Sequence, residues 1–228
     1  MKVLWAVTGA GHWMRESAEV FEKLAKRAQV TVIFSKAGYE VAKLYGVLKK
    51  FEVATGGYYR ELEVDPKPLS HVYGRVMRRA YDAVVVAPMT ANTAAKFVLG
   101  IADNLVTTAL AMARKAGVEI LALPTDAPWV KSTTLPCVIN DCVGCEACPP
   151  QASCPTGAIV GDRVRRILLE RCVGCEACVG KCPFGAISCF SEAPFEVHEL
   201  ELEILKKLEK WARVLKSPRE LAAALGVR

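Results

Sequence analysis

Ala83-Val84-Val85-Val86-Ala87 is an unbroken apolar run, and Pro88 stops it. A half-exposed strand would alternate polar and apolar residues; five apolar residues in a row fit a strand covered on both faces. Three further runs of this kind lie to either side. Val3-Leu4-Trp5-Ala6-Val7 ends in Thr8-Gly9-Ala10-Gly11, Val30-Thr31-Val32-Ile33-Phe34 is β-branched and aromatic, and the run from Val118 to Leu123 is closed by Pro124. Between them, 14–28, 40–50, 69–80 and 93–116 read as helices, the last divided around Gly100. Ala18, Phe21, Leu24, Ala25 and Ala28 recur at three- and four-residue steps in the first. Buried strands alternating with helices make an α/β fold, a doubly wound parallel sheet. Ligands of such sheets sit beyond the carboxyl ends of the strands. A site is therefore expected at the turns after Val7, Phe34, Ala87 and Leu123.

The 228 residues are 52% hydrophobic and 24% charged, which suits a globular chain and excludes a disordered or fibrous one. No apolar run approaches the ~20 residues of a membrane span. The first residues run straight into strand-like sequence without a signal-peptide pattern. A cytoplasmic protein is expected, with no membrane partner and with thiols that stay reduced, free of disulfides. The net charge of +6 belongs to residues 1–136, with 18 Lys+Arg and 12 Asp+Glu; residues 137–228 carry 12 of each.

All ten cysteines fall between Cys137 and Cys189, in two near-identical units. One is Cys142-Val-Gly-Cys145-Glu-Ala-Cys148 followed by Cys154-Pro155. The other is Cys172-Val-Gly-Cys175-Glu-Ala-Cys178 followed by Cys182-Pro183. Structural zinc sites use paired C-x₂₋₄-C steps; a triplet plus Cys-Pro, twice over, does not fit them. The spacing is the duplicated run of bacterial-type ferredoxins, in which three thiolates wrap one four-iron cube and the fourth ligand crosses from the other run. It implies two [4Fe-4S] clusters. Cluster one would be held by Cys142, Cys145, Cys148 and Cys182, and cluster two by Cys172, Cys175, Cys178 and Cys154. Cys137 and Cys189 lie outside both runs and read as small buried thiols on strands flanking the clusters. Four thiolates leave each oxidised cluster at about −2. The middle segment is then acidic when loaded, and the +6 does not call for a nucleic-acid partner.

Thr8-Gly9-Ala10-Gly11-His12-Trp13-Met14 approaches a G-x-G-x-x-G turn, with Met14 in place of the third glycine. After the second strand a dinucleotide site would offer an acidic residue to a ribose. Ser35-Lys36 stand there instead and suit a phosphate, which favours a mononucleotide such as FMN, with NADP as the alternative. Pro88-Met89-Thr90-Ala91-Asn92-Thr93 ends a strand and opens a helix whose N–H groups can meet an anion or a flavin edge. Simple N-capping by Thr90 or Asn92 is the plainer reading of the same residues.

These stretches, together with Gly100-Ile101-Ala102-Asp103-Asn104-Leu105, resemble the flavoprotein superfamily of homo-oligomeric flavin-containing cysteine decarboxylases over roughly residues 1–125. The resemblance implies a flavodoxin-like FMN domain and assembly on trimers. It implies a phosphate site at Gly9, Ala10 and Gly11 with Ser35, and an isoalloxazine bordered by Thr90, Ala91, Asn92 and Thr93. His12, Lys36 and Met89 complete the cofactor-binding set. His71, before the fourth strand, and Asn92 are the catalytic candidates. The Met-Asn clamp of the decarboxylases has no counterpart in Pro124-Thr125-Asp126-Ala127-Pro128-Trp129, which points away from decarboxylation. The fusion of such a domain to a two-cluster ferredoxin is similar to archaeal flavoproteins of the dihydromethanopterin reductase (acceptor) type.

The expected organisation is an FMN domain over 1–130, a ferredoxin domain over 131–190, and a C-terminal helical extension over 191–228. In the extension, Leu200, Ile204, Leu205, Leu208, Trp211, Ala212 and Leu215 form one apolar stripe, and Ser217-Pro218-Arg219-Glu220 opens a last helix. The function this implies is an oxidoreductase. A low-potential electron-donor protein or ferredoxin would reduce the clusters, and FMN would collect two electrons for a dihydropterin. The alternatives are an electron carrier with no small-molecule substrate and, behind it, a flavin-dependent decarboxylase or prenyltransferase.

Overall fold

The computed structural model describes residues 1–227. The first part of the chain forms β1 (Lys2–Val7), α1 (Met14–Ala25), β2 (Gln29–Phe34), α2 (Lys36–Leu44), α3 (Leu48–Glu52), β3 (Leu62–Val64), α4 (His71–Met77), β4 (Ala83–Met89), α5 (Ala91–Leu99), α6 (Leu105–Ala116) and β5 (Glu119–Pro124). Short elements follow: β6 (Ser132–Thr134), β7 (Val138–Ile139), α7 (Pro149–Ser153), β8 (Ile159–Val160), β9 (Arg166–Ile167), β10 (Ile187–Ser188) and β11 (Glu192–Pro194). The chain ends in α8 (Glu199–Leu208), β12 (Arg213–Val214) and α9 (Pro218–Ala224).

The main sheet is parallel throughout, in the order β12-β5-β4-β1-β2-β3. The chain winds outward from β1 to β3, then returns to β4 on the other side of β1. Neighbouring strand ends that send their chains to opposite faces open a crevice between β1 and β4. Both faces are covered, as the apolar runs require. Trp5, Val7, Phe21, Phe34 and Phe51 fill one face; Leu4, Ala6, Ile33, Val86, Phe97 and Leu110 fill the other. Trp5 meets Phe21 edge-on at 5.4 Å, and Phe34 meets Phe51 edge-on at 5.2 Å. Each such side chain, fully buried, contributes on the order of 1.5–3 kcal/mol.

The helix over 93–116 is two helices. Thr90 Oγ1 accepts from Thr93 N to start α5, and Gly100 ends it in a left-handed cap. Asn104 and Thr107 then form a capping box that starts α6. The Gly100–Leu105 stretch is thus a stop followed by a start.

The segment 191–227 does more than pack as helices. The apolar stripe breaks at Leu208, the last residue of α8, and Arg213-Val214 turn into an edge strand beside β5. α8 packs over α5, and α9 packs on α1. β11 pairs antiparallel with β6, Glu192 facing Thr134 and Pro194 facing Ser132. The cysteine segment is therefore an insertion, entered from β6 and left through β11.

Within the insertion β7 pairs with β10, and β8 with β9. The expectation that all ten thiols stay reduced needs correction. Val138 faces Ser188, so Cys137 and Cys189 stand opposite each other one step further along the antiparallel pair, and they are joined by a disulfide. The second cysteine loop rests against the flavodoxin-like part. Arg15 pairs with Glu176 at 3.2 Å and Lys43 Nζ donates to Glu170 O at 3.4 Å. Gly174 has φ +58, and a Cβ there would stand 2.4 Å from Leu44 O. Only glycine allows this backbone approach. Among the described residues no helix is long and apolar enough to cross a membrane.

Candidate functional site

Thr8 closes the crevice between β1 and β4. Its Oγ1 donates to Pro88 O at 2.8 Å and accepts from Thr90 N at 2.9 Å. Trp5 Nε1 adds a bond to Ala87 O at 3.0 Å. Together these fix the height at which both strands release their turns. The resulting cleft has a volume of about 380 Å³. Its walls are the turn Gly9–His12, the α5 start Thr90–Asn92, and Thr125, Asp126, Thr133 and Phe195. Gly11 is a packing requirement: a Cβ there would fall 2.0 Å from the Tyr45 hydroxyl, which donates to Thr134 O.

The structure brings Gly9, Ala10, Gly11, His12, Thr90, Ala91 and Asn92 to one cleft. It does not bring the rest of the expected set to that wall. Ser35 is the N-cap of α2, its Oγ accepting from Gly38 N at 3.0 Å, and neither it nor Lys36 lines the cleft. Met89 is fully buried in β4, and Thr93 serves the α5 cap. His71 lines a different hollow, of about 400 Å³, with Tyr58, Ser70, Gly74, Arg75 and Arg78. Beneath that hollow Arg75 makes a two-pronged pair with Glu61 at 2.7 and 3.1 Å and lies over the Tyr58 and Tyr59 rings.

Three residues in the cleft escape a reading by motif. Asp126 follows β5, and its Oδ2 accepts from Ala91 N and from Thr125 Oγ1, both at 2.9 Å. Its signal was positional: it lies at a strand's carboxyl end, where a ligand is expected. Phe195 and Thr133 arrive on the β6–β11 pair, which no local sequence pattern announces. A second hollow, of about 680 Å³, adjoins the cleft across Phe195 and is lined by Val130, Lys131, Pro194, Glu196, Val197 and Leu202, among others.

The cleft fits a bound polar group. His12 Nδ1 is buried with no hydrogen-bond partner among the described residues, which is costly unless a bound group supplies one. Burial lowers the His12 pKa, with Glu16, Glu192 and Asp126 partly opposing. The imidazole is therefore neutral near pH 7 and can donate or accept.

Cys154, Cys172, Cys175 and Cys178 line one small cavity together with Cys137. Burial pushes the Cys178 thiol up, and the neighbouring Cys172, Cys154 and Cys175 add to this. Thiols crowded in this way suit a cationic centre that takes several thiolates. At the other loop, the backbone N–H groups of Arg165 and Gly144 hold the Cys142 thiol below its usual range. Arg165 N donates to Cys142 Sγ at 3.4 Å.

The comparisons match both parts. The Flavoprotein family model covers residues 1–135, and the 4Fe-4S binding domain model covers residues 166–188, the second cysteine unit. The chain is 38% identical over 239 residues to the dihydromethanopterin reductase (acceptor) of Methanocaldococcus jannaschii, spanning 100% of this chain and 97% of that one. The chain belongs to the flavoprotein family of the dihydromethanopterin reductases (acceptor). The Methanosarcina mazei member is 35% identical over 235 residues, covering 96% of this chain and 97% of its own. In fold the family member here is similar to Burkholderia xenovorans DmrB, solved in complex with FMN and described as a cubic protein cage for redox transfer. The TM-score is 0.62 at 22% identity, over 98% of this chain and 92% of that one.

Proposed function

We propose that this chain is an iron–sulfur flavoprotein reductase that passes electrons from two [4Fe-4S] clusters to FMN and on to a dihydropterin. The observation that carries the reading is full-length similarity to two dihydromethanopterin reductases (acceptor), taken with the cleft at the sheet's switch point. FMN supplies the ability to take electrons singly and deliver them in pairs. Thr90 and Asn92 border its ring. Asp126 already places a carboxylate at the start of α5, so the phosphate belongs at the Gly9–His12 turn, away from a like charge. His12, with its unpaired Nδ1, donates to the cofactor or to the substrate. Asn92, within the cleft, contacts substrate. His71, in its separate hollow, takes no part in this cleft. The cluster ligands are Cys142, Cys145, Cys148 and Cys182 for cluster one, and Cys172, Cys175, Cys178 and Cys154 for cluster two.

The hollow beyond Phe195 supports a reductase over a bare electron carrier, because it leaves room for a substrate beside the cleft. The basic flavin domain suits an acidic electron-donor protein. Assembly on trimers belongs to the same reading. The test is anaerobic. Purified protein should carry one FMN and about eight irons per chain. After chemical reduction, dihydromethanopterin should reoxidise the flavin. A flavin that stays reduced with the pterin present would refute the substrate, and a chain without flavin or iron would refute the reading as a whole.

A further inference from the structure

We propose that Arg165 separates the two clusters in reduction potential, making cluster one the easier to reduce. The inference rests on the two-cluster reading above. Arg165 is 7% exposed. Its guanidinium donates to Gln151 Oε1 at 2.8 Å, to Cys145 O at 3.2 Å, to Glu146 O at 3.3 Å, and to the carbonyls of Asp162 and Arg163. Every acceptor is neutral, and none of the ion pairs among the described residues includes Arg165. A buried charge satisfied only by neutral dipoles is costly unless an anion lies near. Here the anion is supplied by the loop the side chain clasps, since Cys145 belongs to cluster one. The Arg165 backbone N–H points to Cys142 Sγ, a second ligand of the same cluster.

Net charge and hydrogen bonds to the sulfurs are what set a cluster's potential. A fixed cation favours the form with one more electron, so it raises the potential of the cluster beside it. The duplication supplies an internal control. Counted from the first cysteines, 30 residues on, the counterpart of Arg165 in the second unit is Phe195; counted from the last, 28 on, it is Ala193. Neither is charged, so cluster two lacks this cation. The cluster-two loop rests on the flavodoxin-like part through Gly174 and Glu176. The cation therefore marks the cluster whose loop lacks that docking, the one suited to receive electrons from a donor.

The experiment uses full-length holoprotein, anaerobically purified, with iron counted and each cluster's midpoint read by EPR-monitored titration. In Arg165→Gln one midpoint should fall by about tenfold in its reduction equilibrium, 59 mV for one electron, while the other stays fixed. Arg165→Lys, which keeps the charge, should recover most of the shift. Unchanged midpoints, or both moving together, would overturn the proposal. So would loss of four irons from both variants, or an equal shift in Lys and Gln, since these mark Arg165 as a tie between loops and nothing more. Wild-type protein with only one cluster would refute the two-cluster reading itself, and that outcome is visible in the iron count before any titration.

Discussion

Replacing Thr8 by valine removes one hydroxyl and keeps the shape. Thr8 is 1% exposed, so no water replaces what is lost. Two hydrogen bonds go, at about 1 kcal/mol each. Pro88 O retains a bond from Thr8 N at 3.3 Å, but the sole partner of Thr90 N among the bonds described above is Thr8 Oγ1. An unpaired N–H at this half-buried strand end adds about 1–3 kcal/mol. With one of these bonds and the orphan donor overlapping, the expected loss is about 3 kcal/mol. At about 2–4 °C per kcal/mol for a chain of this size, the melting temperature should fall by about 6–12 °C. Thr8→Ser keeps the hydroxyl and loses a methyl, about 1 kcal/mol, and so about 2–4 °C. Differential scanning calorimetry of the three proteins, matched for flavin and iron content, decides the matter. A Thr8→Val protein that melts no lower than Thr8→Ser would refute the idea that this hydroxyl holds the two strand ends together. Flavin affinity gives a second reading, and it should fall in Thr8→Val more than in Thr8→Ser, because Thr90 sits on the cleft wall.

Arg75→Met should destabilise the chain by about 3 kcal/mol, because the guanidinium is almost fully buried against Glu61 and its removal strands that partner; denaturant titration would show it, and Arg75→Lys should recover little, lacking the two-pronged geometry. The His12 pKa is lowered in the folded chain, so its contribution is present above about 6.5 and is lost as pH falls from there through the folded value. His12→Gln should therefore flatten the dependence of melting temperature on pH between about 7 and 5, and an unchanged slope would count against the buried imidazole. Cys154→Ser should remove the cluster of Cys172, Cys175 and Cys178 and spare the other, halving the iron per chain from about eight to about four. Loss of the Cys142 cluster instead would disprove the crossed ligand sets.

The central strands were legible because their burial on both faces writes an unbroken apolar run, as in Val84-Val85-Val86. The edge strands were not. Leu62-Glu63-Val64 is three residues long and carries a buried glutamate that accepts from Ser70. Arg213-Val214 continues a helical apolar spacing into a strand, and only its pairing with β5 decides the outcome. The cleft was legible where it is built from strand-end turns, at Gly9–His12 and Thr90–Asn92. It was illegible at Phe195 and Thr133, which meet it through a pairing 60 residues apart in sequence. The meeting of Cys137 with Cys189 has the same origin, a strand register that spacing alone does not reveal.

The pairing of β6 with β11 has a consequence for how such a chain can be made and remade. Leu135 N donates to Ser191 O at 2.8 Å, so the redox module leaves and re-enters its host at neighbouring points. A different electron carrier with adjacent termini could be grafted at that gate without disturbing β1 to β5. Synthesis also imposes an order. β12 and α9 leave the ribosome after every cysteine, so the host sheet gains its final edge only once the whole module has been translated.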